Sequence, residues 1–320
     1  MEKKLDVLAL GELLIDFTHN GVSNQGNGLF EANPGGAPCN VLAMLNNLGH
    51  KTAFMGKVGN DIFGRLLKKT LEELSINTDY MQMDEEIRTT LAFVANDETG
   101  DRSFSFYRNP GADMMFTEDE VSEEAICSSR IFHFGTLSMT HEEVRKATKK
   151  ALDIAKSNNV FISFDPNLRE SLWKSLDDAK EQFAYGFGYC DVLKISDNEI
   201  QWFTGEEDYD KGIKILQNTY HIPLILLSLG KEGSRAYYKD MRVEVPAFVQ
   251  KNTIETTGAG DTFFGSCLHF VLEKGLSDLT EADLKEMLTF ANAAASIITT
   301  KKGALKVMPS KEDVEHLINA

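Results

Sequence analysis

The stretch Glu255-Thr256-Thr257-Gly258-Ala259-Gly260-Asp261-Thr262-Phe263-Phe264-Gly265 decides how the chain is read. Its first half is a turn and its second half opens a helix. Gly258 and Gly260 lack a Cβ, so their backbone bends sharply and lets a ligand come close. The helix that follows aims unpaired N–H groups and its positive dipole end at whatever occupies the turn, which makes an anion site. Asp261 stands at the mouth of that site. Two readings are open for it. It is a base that takes a proton from a hydroxyl attacking a phosphoryl group, or it is a plain helix N-cap, a position Asp favours.

Upstream of the turn, strand-like apolar runs recur at Leu5–Leu10, Thr52–Val58, Arg130–Phe134, Val160–Phe164, Val192–Ile195 and Leu224–Ser228. Between them lie amphipathic segments such as Ile62–Leu74, Glu142–Ser157 and Leu176–Phe187. This alternation predicts βαβ units and a mostly parallel sheet covered by helices on both faces. Ligands then sit beyond the carboxyl ends of the strands. Past the turn the pattern is helical, over Thr262–Lys274 and Glu281–Thr299. Two stretches break the rhythm. Asn20–Pro34 is rich in Gly and Asn, and Thr89–Asn109 reads as strand runs (Thr90–Ala95, Ser103–Arg108) around a hairpin connection at Asn96–Asp101. They predict a small antiparallel flap of residues 17–33 and 89–109, either a lid or simply a surface hairpin. The α/β body then comprises residues 1–16, 34–88 and 110–320.

Composition narrows the function. The chain has 320 residues, 42% of them hydrophobic, enough to bury a sizeable core. Its net charge of −16 argues against nucleic acid as a partner, since duplex binding rests on neutralising phosphates. A nucleotide ligand would need local amides, a few placed cations and a metal ion. Cys39, Cys127, Cys190 and Cys267 are far apart, so neither a disulfide framework nor a zinc site is expected, and a cytoplasmic location fits. No signal-peptide pattern precedes Leu5, and no apolar run is long enough to span a bilayer.

Polar groups follow almost every predicted strand. Asp16 comes after the first, placed to accept bonds from vicinal hydroxyls. Pro34-Gly35-Gly36-Ala37-Pro38-Cys39-Asn40 is a second glycine turn, with Pro38 suited to a first helical turn and Asn40 to sugar hydroxyls. Asp165–Arg169, Lys194–Glu199 and Ser228–Gly233 follow three further strands. There is no G-x-x-x-x-G-K-[ST], no G-x-G-x-x-G after a strand, no H-R-D or D-F-G loop, no G-x-S-x-G and no H-E-x-x-H. P-loop NTPases, Rossmann dehydrogenases and protein kinases are thereby disfavoured.

The chain resembles the ribokinase-like, or PfkB, family of sugar kinases. Gly35–Asn40 through Gly49, with Gly56-Lys57-Val58-Gly59-Asn60-Asp61-Ile62-Phe63-Gly64, is similar to the family's N-terminal signature, and Thr257–Asp261 to its C-terminal one. The resemblance covers about Leu8 to Pro309. It implies a three-layer α/β/α fold with a mostly parallel central sheet and a small β lid. Within the family, Gly11–Phe17, Phe106–Met114, Ile131–Gly135 and Asp165–Arg169 with Leu172-Trp173 look like fructokinase blocks. The implied activity is ATP-dependent fructokinase, with 2-keto-3-deoxygluconate kinase as the nearest alternative and a catalytically silent sugar or nucleotide sensor as a non-enzyme one.

The family pattern assigns roles. Asp261 would deprotonate the sugar hydroxyl, and the amides of Gly258, Ala259, Gly260 and Asp261 would cradle the transferring phosphoryl group. Asp16, Gly35, Gly36 and Asn40 would hold the sugar, with Phe106 and Arg108 from the lid and Arg169 nearby. Lys194 and Ser196 stand on the nucleotide side with Ser228, Gly230 and Gly233, which would hold ATP phosphates. Asn292 would flank the adenine. Glu199 would organise water-bound Mg2+, as the end of an N-x-x-E motif whose Asn is Ser196 here. Glu255, where ribokinases often carry Asp, and Thr257 mark a position linked to K+. The expected partners are ATP and a small sugar, with a homodimer through the lid.

Overall fold

The computed structural model describes residues 3–96 and 102–320. The hairpin connection expected within Asn96–Asp101 falls largely outside the described residues. Among the described residues thirteen strands are formed: β1 (Leu5–Leu10), β2 (Leu14–Val22), β3 (Gly28–Gly35), β4 (Thr52–Gly59), β5 (Asn77–Asp84), β6 (Leu91–Asn96), β7 (Arg102–Tyr107), β8 (Ser129–Gly135), β9 (Phe161–Asp165), β10 (Val192–Ser196), β11 (Leu224–Ser228), β12 (Ser234–Tyr238) and β13 (Met241–Val245).

Nine of them make one sheet in the order β13-β12-β11-β10-β9-β8-β1-β4-β5. Pairing is parallel from β5 to β11 and antiparallel at β12 and β13. The apolar runs explain the central strands: Val7 to Leu10 and Leu224 to Leu227 are buried, as strands covered on both faces must be. Helices close both faces. Ala37–Asn47, Ala259–Lys274 and Glu281–Ile298 pack with Val7, Phe54 and Leu226 on one side, and Glu142–Ser157 and Leu176–Phe187 with Leu8, Phe132 and Phe164 on the other. This is the expected three-layer α/β/α class.

From β1 the chain order runs outward in both directions, to β4 and β5 on one side and to β8 through β11 on the other. A reversal of that kind leaves a crevice at the carboxyl end of β1, where doubly wound sheets bind ligands.

The remaining strands form a separate sheet, β3-β2-β6-β7. Its β2–β6 pairing is parallel and the other two are antiparallel. β2 begins at Leu14, so Asp16 stands on the small sheet, paired with Asn33, and not in a loop after β1.

Candidate active site

Two adjoining cavities lie beyond the carboxyl ends of the main sheet, and Thr256 and Gly260 line both. The first, of about 330 Å3, brings together Asp16, Gly36, Asn40, Phe106, Arg169, Lys194, Thr257, Gly258, Gly260 and Asp261. The second, of about 500 Å3, gathers Ser228, Gly230, Gly233, Ala259, Gly260 and Asn292. Residues more than two hundred positions apart in sequence therefore meet at the turn that ends at Asp261.

The turn takes its shape from Gly258. This residue is the N-cap of the helix Ala259–Lys274 and sits in the left-handed region at φ 75°, which a side chain would strain. Asp261 is the third residue of that helix and is not its cap, which removes the plain N-cap reading. Its Oδ2 accepts a hydrogen bond of 2.8 Å from Asn40 Nδ2, a side chain on the helix Ala37–Asn47. Burial pushes the Asp261 carboxyl above its usual range, against the pull of Asn40, Lys194 and Arg169. Such an acid is a stronger base than a solvated one. Asn40 Oδ1 is buried and has no protein partner, which leaves one acceptor beside Asp261 unsatisfied by the protein.

Beneath the turn lies a buried ion cluster. Lys194 Nζ stands 3.1 Å from each oxygen of Asp165, and a Cβ on Gly260 would lie 3.1 Å from that same Nζ. The absence of a side chain on Gly260 is what lets the ammonium approach the turn. Burial disfavours the charge on Lys194, but Asp165, Glu199 and Asp261 outweigh it and hold the ammonium firmly protonated. Burial, with Glu199 and Asp261, drives Asp165 up to about 7 in spite of Lys194.

Several expected residues stand elsewhere. Arg108 does not line the cavity. Its guanidinium is buried, bonded to Asp113 (2.8 and 2.6 Å), the Thr140 hydroxyl (2.8 Å) and the Leu137 carbonyl (3.1 Å). It braces the junction of the small sheet with the body. Gly35 lies under Asp16, where a Cβ would overlap Oδ2. Ser196 and Glu199 form a capping box on the helix Asp197–Thr204: Glu199 accepts from the Ser196 amide (2.9 Å) and hydroxyl (2.8 Å), and its other oxygen accepts from Leu168 N–H (2.8 Å). Asn292 lines the second cavity, but Ser234 donates to its carbonyl at 2.9 Å and its amide donates to Val245 and Pro246 at 3.0 and 3.2 Å. It fixes the segment after β13 that walls the cavity. Glu255 lies outside both linings and accepts from Gly303 N–H at 2.7 Å.

Glu12 was not singled out by sequence reasoning. It lines the first cavity, is buried, and accepts from Ala37 N–H at 2.9 Å. Burial raises its carboxyl to about 7. The signal was present: an acid interrupts the apolar run between Leu8 and Ile15. Thr256 is a further lining residue that had no assigned role, and Asn167 brings the amide of the Asp165–Arg169 stretch to the same cavity.

Comparison with known proteins places this geometry. The model of the pfkB family of carbohydrate kinases matches residues 4–311. A probable fructokinase-2 of Arabidopsis thaliana is 39% identical over 307 residues, 95% of this chain and 93% of that protein. The crystal structure of a Xylella fastidiosa fructokinase with bound ATP superposes with a TM-score of 0.88 at 28% identity, covering 100% of this chain and 99% of the other. A Vibrio cholerae fructokinase double mutant with fructose, ADP and potassium ion gives 0.87 at 28% identity, over 99% and 100% of the two chains. With its glycine turn, buried acid and paired cavities at one sheet edge, this chain belongs to the pfkB family of carbohydrate kinases.

Proposed function

We propose that the protein is an ATP-dependent fructokinase that transfers the γ-phosphoryl group of ATP to the 6-hydroxyl of fructose. The observation that carries the reading is Asp261, bonded to Asn40 and placed where the two cavities meet. The first cavity takes the sugar and the second the nucleotide. Asp16, Asn40 and Glu12 accept and donate bonds to hydroxyls, and Phe106 packs against the ring from the small sheet. The helix start at Gly258–Asp261 stabilises charge on the phosphoryl group, with Lys194 below and Arg169 beside it. Asp261 takes the proton as the new O–P bond forms. Positioning and fixed charge supply most of the rate.

Three acids line the sugar cavity against two cations, Arg169 and Lys194, and Lys194 is already paired. A neutral polyol suits that balance. A keto-acid carboxylate would face those acids, and Arg108, whose guanidinium fork could pair with it, is held by Asp113.

Mg2+ prefers one or two carboxylates plus phosphate oxygens and water to an all-protein cage. The donors here fit that habit: Glu199 and Asp165 are buried acids beside the turn, each coupled to Lys194. When bound, the ion would neutralise charge between the β- and γ-phosphates. Glu255 and Thr257 are proposed to flank a monovalent cation beside the same turn.

The small sheet is proposed to act as a lid. Its outer face carries Phe17, Phe30 and Tyr107, each in ring contact with Phe93, with Phe30 50% and Tyr107 66% exposed. A second copy of the chain covers that face, and light scattering should return twice the chain mass; a monomer mass refutes it. Among the described residues no helix is long and apolar enough to cross a membrane. The four unpaired cysteines suit the reducing cytoplasm.

Incubation with ATP and fructose, read by phosphorus NMR, tests the reaction. The product should be fructose 6-phosphate with equimolar ADP. Phosphorylation at the 1-hydroxyl, or none, sinks the proposal.

A further inference from the structure

At the amino end of the strands, away from both cavities, two histidines and a carboxylate converge. His50 precedes β4, and His269 and Glu273 share one face of the helix Ala259–Lys274. His50 Nε2 lies 2.7 Å from His269 Nδ1. One ligand atom from each of the three residues falls within 4.8 Å of the others, the only such group of His, Cys, Asp and Glu among the described residues. We propose that His50, His269 and Glu273 bind a borderline divalent cation, with Zn2+ the best match.

Ligand type supports the choice. Two imidazole nitrogens and one carboxylate oxygen are a zinc donor set, whereas Mg2+ and Ca2+ prefer oxygen alone. A second carboxylate stands behind the first ring. Asp6 Oδ2 is 3.8 Å from His50 Nδ1, and Asp6 is itself fixed by Lys51 N–H at 2.9 Å and Arg130 at 3.0 Å. A carboxylate behind a metal-bound histidine sets its tautomer and orientation. Today one ring carries the hydrogen between the two facing nitrogens. With a metal there, both lone pairs turn to the ion and His50 carries its hydrogen on Nδ1, toward Asp6. No proton leaves the protein. Nitrogens on one tetrahedral Zn2+ stand roughly 3.3 Å apart, so the rings separate by about 0.6 Å. Glu273 lies on the solvent side, which gives an entry path and room for water as fourth ligand.

The site would clamp the far half of the helix that carries Asp261 to the loop before β4. It is independent of the proposed kinase reaction, and its test does not read activity.

Metal-stripped full-length protein is titrated with Zn2+ against a chromophoric chelator, with thermal unfolding in parallel. The wild type should take one equivalent at micromolar zinc and melt higher with it. Glu273→Gln, at an exposed position, should fold normally and weaken binding at least tenfold. His269→Gln should weaken it about a hundredfold, and Asp6→Asn about tenfold. Excess Mg2+ should not compete. A wild type that takes up no zinc overturns the proposal, and so does a Glu273→Gln variant that keeps wild-type affinity.

Discussion

In the proposed mechanism Asp261 is the base, and its surroundings explain how an acid at a helix start can serve as one. The dipole and Asn40 favour its charge, but burial dominates and raises its pKa. Asp261→Asn should lower kcat by at least 10²–10⁴-fold while fructose and ATP still bind. Near-normal kcat with bound ligands would reduce Asp261 to a helix-start residue. Glu12 offers a test through pH. Its carboxyl titrates near 7 in the fold and near 4.5 unfolded, so the neutral form is the stable one inside. Wild-type stability from this group is fully present below about pH 4.5 and is lost as pH rises to 7, by about 1.4 kcal/mol per unit. Glu12→Gln keeps the neutral form, so its melting temperature relative to wild type should climb between pH 5 and pH 8. A difference independent of pH would place Glu12 in solvent. Residue by residue, the sequence was legible wherever a glycine forced the backbone. Gly36 and Gly258 stand at positive φ where the turns require them, and Gly260, within the helix, leaves room for Lys194. It was least legible where a charge has a private partner: nothing near Arg108 announces that Asp113 holds it, and Glu199 serves a capping box spelled by Ser196 three residues earlier.

Two helices bring the site together, and one glycine sets their distance. Gly265 on the helix Ala259–Lys274 faces Met44 and the Val41 carbonyl of Ala37–Asn47, where a Cβ would approach to 2.9 and 3.0 Å. The Asn40–Asp261 bond spans the same pair of helices. Gly265→Ala should therefore cost about 1–3 kcal/mol of stability by overpacking and lower kcat, although it touches no ligand. Thermal unfolding with steady-state kinetics on one preparation checks this; a destabilised variant with unchanged kcat would show that the helix spacing does not govern the bond. At this scale the apolar runs of β1 and β11 gave their strand limits to the residue, because a strand buried on both faces is written as a nearly continuous apolar run, broken in β1 by Asp6 alone and closed in β11 by Ser228. β5 was invisible for the opposite reason. As an edge strand, Asn77–Asp84 alternates polar and apolar residues and carries two acids. β12 and β13, at the other edge, hide in the same way.

The whole molecule is a large sheet with a small one across its ligand edge. Leu14, Asp16 and Phe106 reach the first cavity from the small sheet, while Phe30 and Tyr107 face outward. If the small sheet closes over the sugar, hydrogen exchange in Leu91–Asn96 and Arg102–Tyr107 should slow when fructose saturates the protein. Unchanged exchange would make the sheet a fixed wall. The sequence revealed this division through its broken rhythm at Asn20–Pro34 and Thr89–Asn109, but placed Asp16 one element too early, since no turn residue other than Gly11 separates β1 from β2. The central claim is the choice of sugar, which rests on an acidic cavity and on the withdrawal of Arg108 into its ion pair with Asp113. The most direct measurement is kcat/KM for fructose and for 2-keto-3-deoxygluconate with one enzyme preparation. Fructose should lead by at least roughly tenfold, about 1.4 kcal/mol of transition-state binding; an equal or reversed preference would contradict it and move the chain to the keto-acid branch.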